Sequence, residues 1–410
     1  MQSNNLRRTI LTITGFFILL AIAGGLLWAN LNFVKKSPGG GDFYVLWQGT
    51  RSFSVDGNLP YGDLTRQIAD YVYGLNPTSH EPLRRFSLPL YLMLFYIPFA
   101  LIQDPLMARA VWMIFLEFEL VGLVLLTFQL IRWKPAWFYL IILFLFGVFW
   151  APAVASLFSG TLIIFQAVLL FGAIRAIEFN ADEIAGALMA LAWFNLEVMA
   201  LLIILVLFWA MTQRRWRVVA GFIMATVLVI GLSILFNTAW IFPFMSAIVT
   251  NWREMPYPST YSLLESWLPG VGIRLAQVLT VIIAFIILME WRAVRGKEVR
   301  WLVWTVSFTA VITPLLGVPF SPQWLVLSLP ALLVVLSIMD QRWGPFGRWS
   351  AVALFLVAFF GLWRAFQLTN NATFIFLFPA LMVFLLYWVR WWAVSAPRLW
   401  ADVISDIGRK

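Results

Sequence analysis

Apolar runs of roughly 20 residues recur along the chain, divided by short polar or basic turns. A helix of that length crosses a bilayer, so the pattern predicts an all-α, polytopic transmembrane helical bundle. A β-barrel would show alternation over about ten residues at a time, and the chain has none. The first run, 9–30, follows a short basic segment and reads as a span with a cytoplasmic N-terminus. It is too long for a typical signal-peptide core, and no small-x-small site ends it.

Residues 31–85 are the longest polar interruption and form a first outer loop. Within it, 42–53 places Phe43, Trp47 and Thr50 or Arg51 at about helical spacing, which predicts a helix lying on the membrane surface. Gly57-Asn58 and Pro60 end that helix, and 64–73 supplies a second short one. Apolar runs follow at 86–103, 111–131, 136–157, 162–177, 184–211, 218–236, 271–290, 301–316, 324–339, 349–367 and 373–392. Residues 237–270 form a second outer loop, aromatic and proline-containing. The whole of 1–410 reads as one integral membrane domain of about twelve spans, both termini cytoplasmic.

Two layouts give that count. If every run is a simple crossing, Arg132 and Lys134 fall outside, against the positive-inside tendency. If 86–107 is kinked or re-entrant and 184–211 breaks at Asn195 into two short crossings, both cations face the cytoplasm. Gly160 and Asn195 then come level with Asp42 on the outer side. The second layout gathers the polar residues and is preferred, since broken helices at membrane depth need protein or a water-filled cavity around them.

Composition narrows the class. The chain is 62% hydrophobic and 11% charged, more apolar than a soluble domain requires. Its 23 Trp and 37 Phe crowd the span ends, as an interfacial aromatic belt does. The net charge of +9 reads as basic cytoplasmic loops facing anionic membrane lipid, not as a nucleic-acid surface. With no Cys, thiol catalysis and disulfides are excluded; with one His, His80, so is a multi-His metal site within the chain. Asp56, Asp63 and Asp70 recur at a constant spacing, but Pro60 interrupts the run, and no metal or other cofactor is expected.

Candidate chemistry starts at Asp42, a carboxylate just after the first span. A general base and a helix cap are its two readings, because Gly-Gly-Gly-Asp before an apolar periodic run is also N-cap sequence. Arg84 and Arg85 stand where the loop re-enters the membrane, and Arg364 follows an apolar stretch; each can hold a phosphate or snorkel. His80-Glu81 can assist proton or phosphate chemistry, or be a solvated loop pair. Glu117 and Glu119 point about 200° apart on a helix and cannot form one site. Glu197, beside Asn195, suits the lining of a broken-helix cavity.

Gly40-Gly41-Asp42-Phe43, followed by Gly57-Asn58-Leu59-Pro60-Tyr61 and Phe86-Ser87-Leu88-Pro89-Leu90-Tyr91, resembles glycosyltransferase family 87. Leu157-Phe158-Ser159-Gly160-Thr161 resembles that family's Gly-Gln segment. Residues 190–197 with Arg214-Arg215-Trp216-Arg217 resemble its Lys-Pro helix and basic loop. Thr161 stands where Gln is common, and Asn195-Leu196 where Lys-Pro is common. The resemblance implies a GT-C-type membrane enzyme that moves a hexose, mannose by family likeness, from a polyprenyl-phosphate donor to a glycan or glycolipid acceptor. It implies Asp42 as base, a reaction on the non-cytoplasmic side, and a location in the cell membrane. Asn58, Tyr61, His80, Arg84, Arg85, Gly160, Asn195, Glu197 and Arg364 make up the candidate substrate-binding set. The alternative is a transporter or flippase that uses intramembrane carboxylates, for which an inverted repeat would be the mark; none is evident.

Overall fold

Helices form where the apolar runs predict them, but several runs are broken. A computed structural model of the chain describes residues 2–37, 40–74, 83–194, 196–254, 257–356 and 360–394. Among these, every regular element is helical and no strand occurs. In chain order they are α1 (Gln2–Lys36), α2 (Gly41–Ser54), α3 (Asp63–Gly74), α4 (Leu90–Ala100), α5 (Pro105–Leu130), α6 (Trp137–Phe149), α7 (Ala151–Ser159), α8 (Ile163–Glu178) and α9 (Asp182–Ala192). There follow α10 (Leu196–Thr212), α11 (Trp216–Phe236), α12 (Ile241–Arg253), α13 (Thr260–Trp267), α14 (Gly272–Ala293), α15 (Val299–Ile312), α16 (Leu329–Phe355), α17 (Gly361–Thr369) and α18 (Thr373–Val394). Two 3-10 turns, Thr313–Leu316 and Pro322–Ser328, link α15 to α16.

Among the described residues, seven helical stretches are long and apolar enough to cross a membrane, or eight if the bent pair α7 and α8 is one span. That pair turns by 117° at its break. The difference from about twelve crossings lies in the short elements. A helix of α6's 13 residues is about 20 Å long, short of the roughly 30 Å hydrocarbon layer. The run 184–211 is interrupted where expected: α9 stops at Ala192 and α10 begins at Leu196. The segment after Phe86 is likewise a short helix, α4, closed off before Asp104 caps α5. Asp104 accepts from the backbone N–H groups of Leu106 and Met107 at 3.1 and 3.2 Å, with Pro105 as the first helical residue. The helices α1, α11 and α14 leave rows of Ile, Leu, Val and Phe uncovered, the surface of a helical membrane protein.

The chain divides into two compact units. The first comprises Met1–Glu119, Leu157–Thr161 and Ile230–Glu254; the second comprises Leu120–Ser156, Leu162–Val229 and Met255–Lys410.

The first unit is built around α2, and this corrects the surface-helix expectation. Ten of the 14 residues of α2 are buried, the polar Gln48, Thr50 and Ser52 among them. Two side chains that suggested a membrane surface, Trp47 and Arg51, engage protein instead. Trp47 Nε1 donates to the Ile102 carbonyl at 3.2 Å and Arg51 donates to the Ala100 carbonyl at 3.1 Å, satisfying acceptors that the end of α4 leaves open. Gly49 admits the Phe86 ring, which any β-carbon would displace. By contrast α3 is two-sided, with Thr65, Ala69 and Tyr73 facing protein. Within 237–270, expected from the sequence to be a second outer loop, α12 covers the first half, and Ser259 and Ser262 form a reciprocal cap at the start of α13.

In the second unit α5, α8 and α10 end in the same way. Arg132, Asn180 and Arg214 take left-handed φ of 52°, 59° and 58°. The next residue in each case donates back five positions, Trp133 to Phe128, Ala181 to Ala176 and Arg215 to Ala210, which satisfies carbonyls the helix ends leave open. These ends lie together. Arg132 pairs with Glu178 at 3.0 Å, Arg215 with Asp182 at 3.2 Å, and Trp133 Nε1 donates to Asp340 at 3.0 Å. Trp209 Nε1 donates to the Val294 carbonyl at 3.4 Å. Asp340 also pairs with Arg348 across a kink at Gly344. The basic loops therefore share one end of this unit.

On the opposite faces of α9 and α11, Gly186 and Gly221 let backbone meet backbone. A β-carbon at Gly186 would run into the Val218 carbonyl, and one at Gly221 would sit 2.5 Å from the Glu183 carbonyl oxygen. Gly186→Val is expected to cost about 1–3 kcal/mol. The check is the unfolding midpoint of the purified protein in detergent; an unchanged midpoint would refute this contact.

Candidate active site

Asp42 sits in the first turn of α2, and it is not a cap. The N-cap is Gly40, whose φ of 90° starts the helix without any side-chain hydrogen bond. Only glycine suits this turn, because a β-carbon at residue 40 would lie 2.5 Å from Arg109 Nε as well as forcing the left-handed backbone. Phe43 and Tyr44 beside it are buried, and Asp42 itself is half-buried. Among the described residues it forms no ion pair within 4 Å and no hydrogen bond. Burial pushes the Asp42 carboxyl above its ordinary value, and the Arg84 guanidinium pulls it part of the way back.

Three elements of the first unit converge on the turn that carries this carboxylate. From α4 comes Tyr96, fully buried, whose hydroxyl has no hydrogen-bond partner among the described residues and feels the Asp42 charge. From α5 come Arg109 and Trp112, both fully buried. Arg109 donates to the Phe158 carbonyl at 2.8 Å, and Trp112 Nε1 donates to the Gly160 carbonyl at 2.9 Å. Gly160 itself, at φ 76°, presses on α2: a β-carbon there would sit 2.5 Å from the Phe43 β-carbon. Phe33 of α1 stacks on Phe158 at 4.2 Å and closes the arrangement.

The structure thus brings Asp42, Arg84 and Gly160 into one neighbourhood, as the preferred layout expects of Asp42 and Gly160. Other expected site residues have structural duties. Tyr61 is buried and donates to the Leu88 carbonyl at 2.8 Å, with Phe86 and Phe244 rings at 5.6 and 6.0 Å. Arg85 pairs with Asp63 at 3.3 Å, and its backbone exchanges two 2.8 Å hydrogen bonds with the Asn251 side chain. Both hold the 83–88 segment against α3 and α12. Asn58 is exposed in the turn after α2, its N–H bonded to the Ser52 carbonyl. Arg364 is exposed on α17 in the second unit. His80 and Asn195 lie outside the described residues, as does the side chain of Glu197, which falls in the first turn of α10.

Tyr96, Arg109 and Trp112 were missed from sequence. Tyr96 and Trp112 look like ordinary members of apolar runs. Arg109 carried a signal: it is a lone cation in Met107-Ala108-Arg109-Ala110, flanked by alanines and followed directly by a span. Among the described residues no cluster of three His, Asp or Glu is placed to hold a metal ion. Compared with protein-family models, curated proteins and solved structures, the chain matches none.

Because the native carboxyl of Asp42 titrates above the unfolded one, the native state binds more protons between the two values. Stability from this group therefore falls as pH rises through that window, from about 4 upward. Asp42→Asn removes the penalty. The variant is expected to unfold at or above the wild-type midpoint at pH 7, with a gap that narrows toward pH 4. A midpoint well below wild type at pH 7 would instead make Asp42 a structural carboxylate.

Proposed function

We propose that this chain is a membrane glycosyltransferase of GT-C type. It transfers a hexose, mannose in the preferred assignment, from a polyprenyl-phosphate donor to a glycan or glycolipid acceptor. The observation that carries the reading is Asp42: a half-buried carboxylate with no capping role and no ion-pair or hydrogen-bond partner among the described residues, set in the first turn of a largely buried helix. A desolvated acid left unpaired on an enclosed helix is organised for chemistry more than for stability.

In the proposed step the acceptor hydroxyl oxygen attacks the anomeric carbon. The C–O bond to phosphate breaks with its electron pair, and the hydroxyl proton passes to Asp42. Desolvation makes Asp42 a stronger base than a solvated aspartate. Arg84, half-buried and close enough to act on Asp42, would pair with the departing polyprenyl phosphate. The Tyr96 hydroxyl, with no partner among the described residues, can donate to or accept from a sugar hydroxyl.

We assign the basic end of the second unit to the cytoplasm by the positive-inside tendency, which agrees with the layout that puts Arg132 and Lys134 inside. About twelve crossings then require the short and broken helices to cross together within protein, in a cell membrane with both termini cytoplasmic. A transporter or flippase is the second reading, favoured by Glu117 and Glu119, both half-buried within the span α5.

The test is transfer of labelled mannose from polyprenyl-phosphate mannose in membranes containing wild type or Asp42→Asn at matched expression. The expected loss is about 100-fold or more. Retained transfer by the variant would remove Asp42 from the reaction. Transport without transfer, abolished by Glu117→Gln, would favour the second reading. Activity should rise with pH through the Asp42 titration, and Arg84→Gln should move that limb to higher pH, since it removes the charge that holds the carboxyl down. An unmoved limb would uncouple Arg84 from Asp42.

A further inference from the structure

A second set of unspent donors lies at the basic end of the second unit, in residues that the proposed reaction does not use. A small, partly open cavity there is lined by Arg300 and Trp304 of α15 and by Ser337 of α16, with Leu130, Ile131 and Val334 as apolar wall. Arg300 and Trp304 are four residues apart and share one helix face. Arg300 is half-buried and makes no hydrogen bond or ion pair among the described residues; Arg132 and Glu298 are the charged groups that act on it.

Trp304 is 1% exposed, and its indole N–H has no acceptor among the described residues. Such a buried donor is costly to leave unmade. The ring is also fixed in place: it stacks on Phe308 at 5.2 Å, and the Arg390 guanidinium lies 5.4 Å from its centroid. Arg390 is itself engaged by Glu290 at 2.8 Å, so the indole cannot readily turn toward another partner. The α15 N-terminus opens beside Arg300 with no side-chain cap, and its free N–H groups add positive potential. The Ser337 hydroxyl already donates to the Val334 carbonyl at 2.8 Å.

Cation, indole N–H and helix N-terminus are all donors, so the missing ligand must bring acceptors. The apolar wall asks for hydrocarbon beside them. We propose that this cavity seats the phosphate of an anionic phospholipid, with Arg300 pairing a phosphate oxygen and Trp304 donating to the same phosphate. The site is separate from the transfer chemistry and does not depend on it.

The experiment uses the full-length protein purified in neutral detergent and follows its unfolding midpoint. The additions are phosphatidylglycerol, phosphatidylcholine or inorganic phosphate. Phosphatidylglycerol is expected to raise the wild-type midpoint saturably, and phosphatidylcholine to do so much less. Arg300→Gln should weaken half-saturation about tenfold or more, the loss of one charge-assisted hydrogen bond. Trp304→Phe keeps the stacked ring, removes only the N–H, and should weaken it by a smaller factor. Lys297→Gln, an exposed neighbour of equal charge, should change little. Equal shifts in wild type and both cavity variants, or equal shifts with phosphatidylcholine, would overturn the proposal. A full shift with inorganic phosphate would assign a free-phosphate site and overturn the lipid. If Arg300→Gln fails to fold, Trp304→Phe against Lys297→Gln decides the matter alone.

Discussion

The contact between Gly160 and Phe43 is the constraint on which the first unit depends. With no side chain at 160, the turn after α7 presses onto the first turn of α2, and its carbonyl is then held by Trp112. Gly40 does the same from the other side, where its bare α-carbon faces Arg109. Arg109 in turn holds the Phe158 carbonyl, so the two glycine turns and α5 brace one another. The site's geometry follows from backbone that approaches more closely than any alanine would allow.

Within that frame, polar groups are treated unequally. Trp47, Arg51, Tyr61 and Arg85 all close hydrogen bonds that segment ends would otherwise leave open. Each contributes a modest net stabilisation, but leaving such a group unmade would cost more. Asp42 and the hydroxyls of Tyr96 and Thr50 differ: among the described residues none of the three closes a hydrogen bond. A desolvated carboxyl beside an unspent phenol works against stability, and proteins retain such strain where chemistry needs it.

The span pattern was legible because about 20 apolar residues have few other uses in an aqueous cell. The break before Leu196 and the proximity of Gly160 to Asp42's helix were legible too, from polar residues placed in mid-run. The burial of α2 was not. Gln48, Thr50 and Ser52 read the same in the sequence whether they face water or protein, and pattern alone cannot tell these apart. Tyr61 and Arg85 misled for a related reason: a polar residue in a loop reads as available, while the partners that engage it, Leu88 and Asn251, are distant in sequence. Tyr96 and Trp112 gave no signal, because an aromatic residue in an apolar run is indistinguishable from a lipid-facing one.

The central claim is that a lipid-linked sugar binds in the first unit against the Asp42 turn. The most direct measurement is photo-crosslinking with a polyprenyl-phosphate mannose analogue that carries a diazirine on the sugar. The adduct would be mapped by mass spectrometry and competed with unlabelled donor. The account predicts competable labelling within α2, α4 or the N-terminal half of α5, around Asp42, Tyr96 and Arg109. Competable labelling confined to the second unit, with none at these segments, would contradict it.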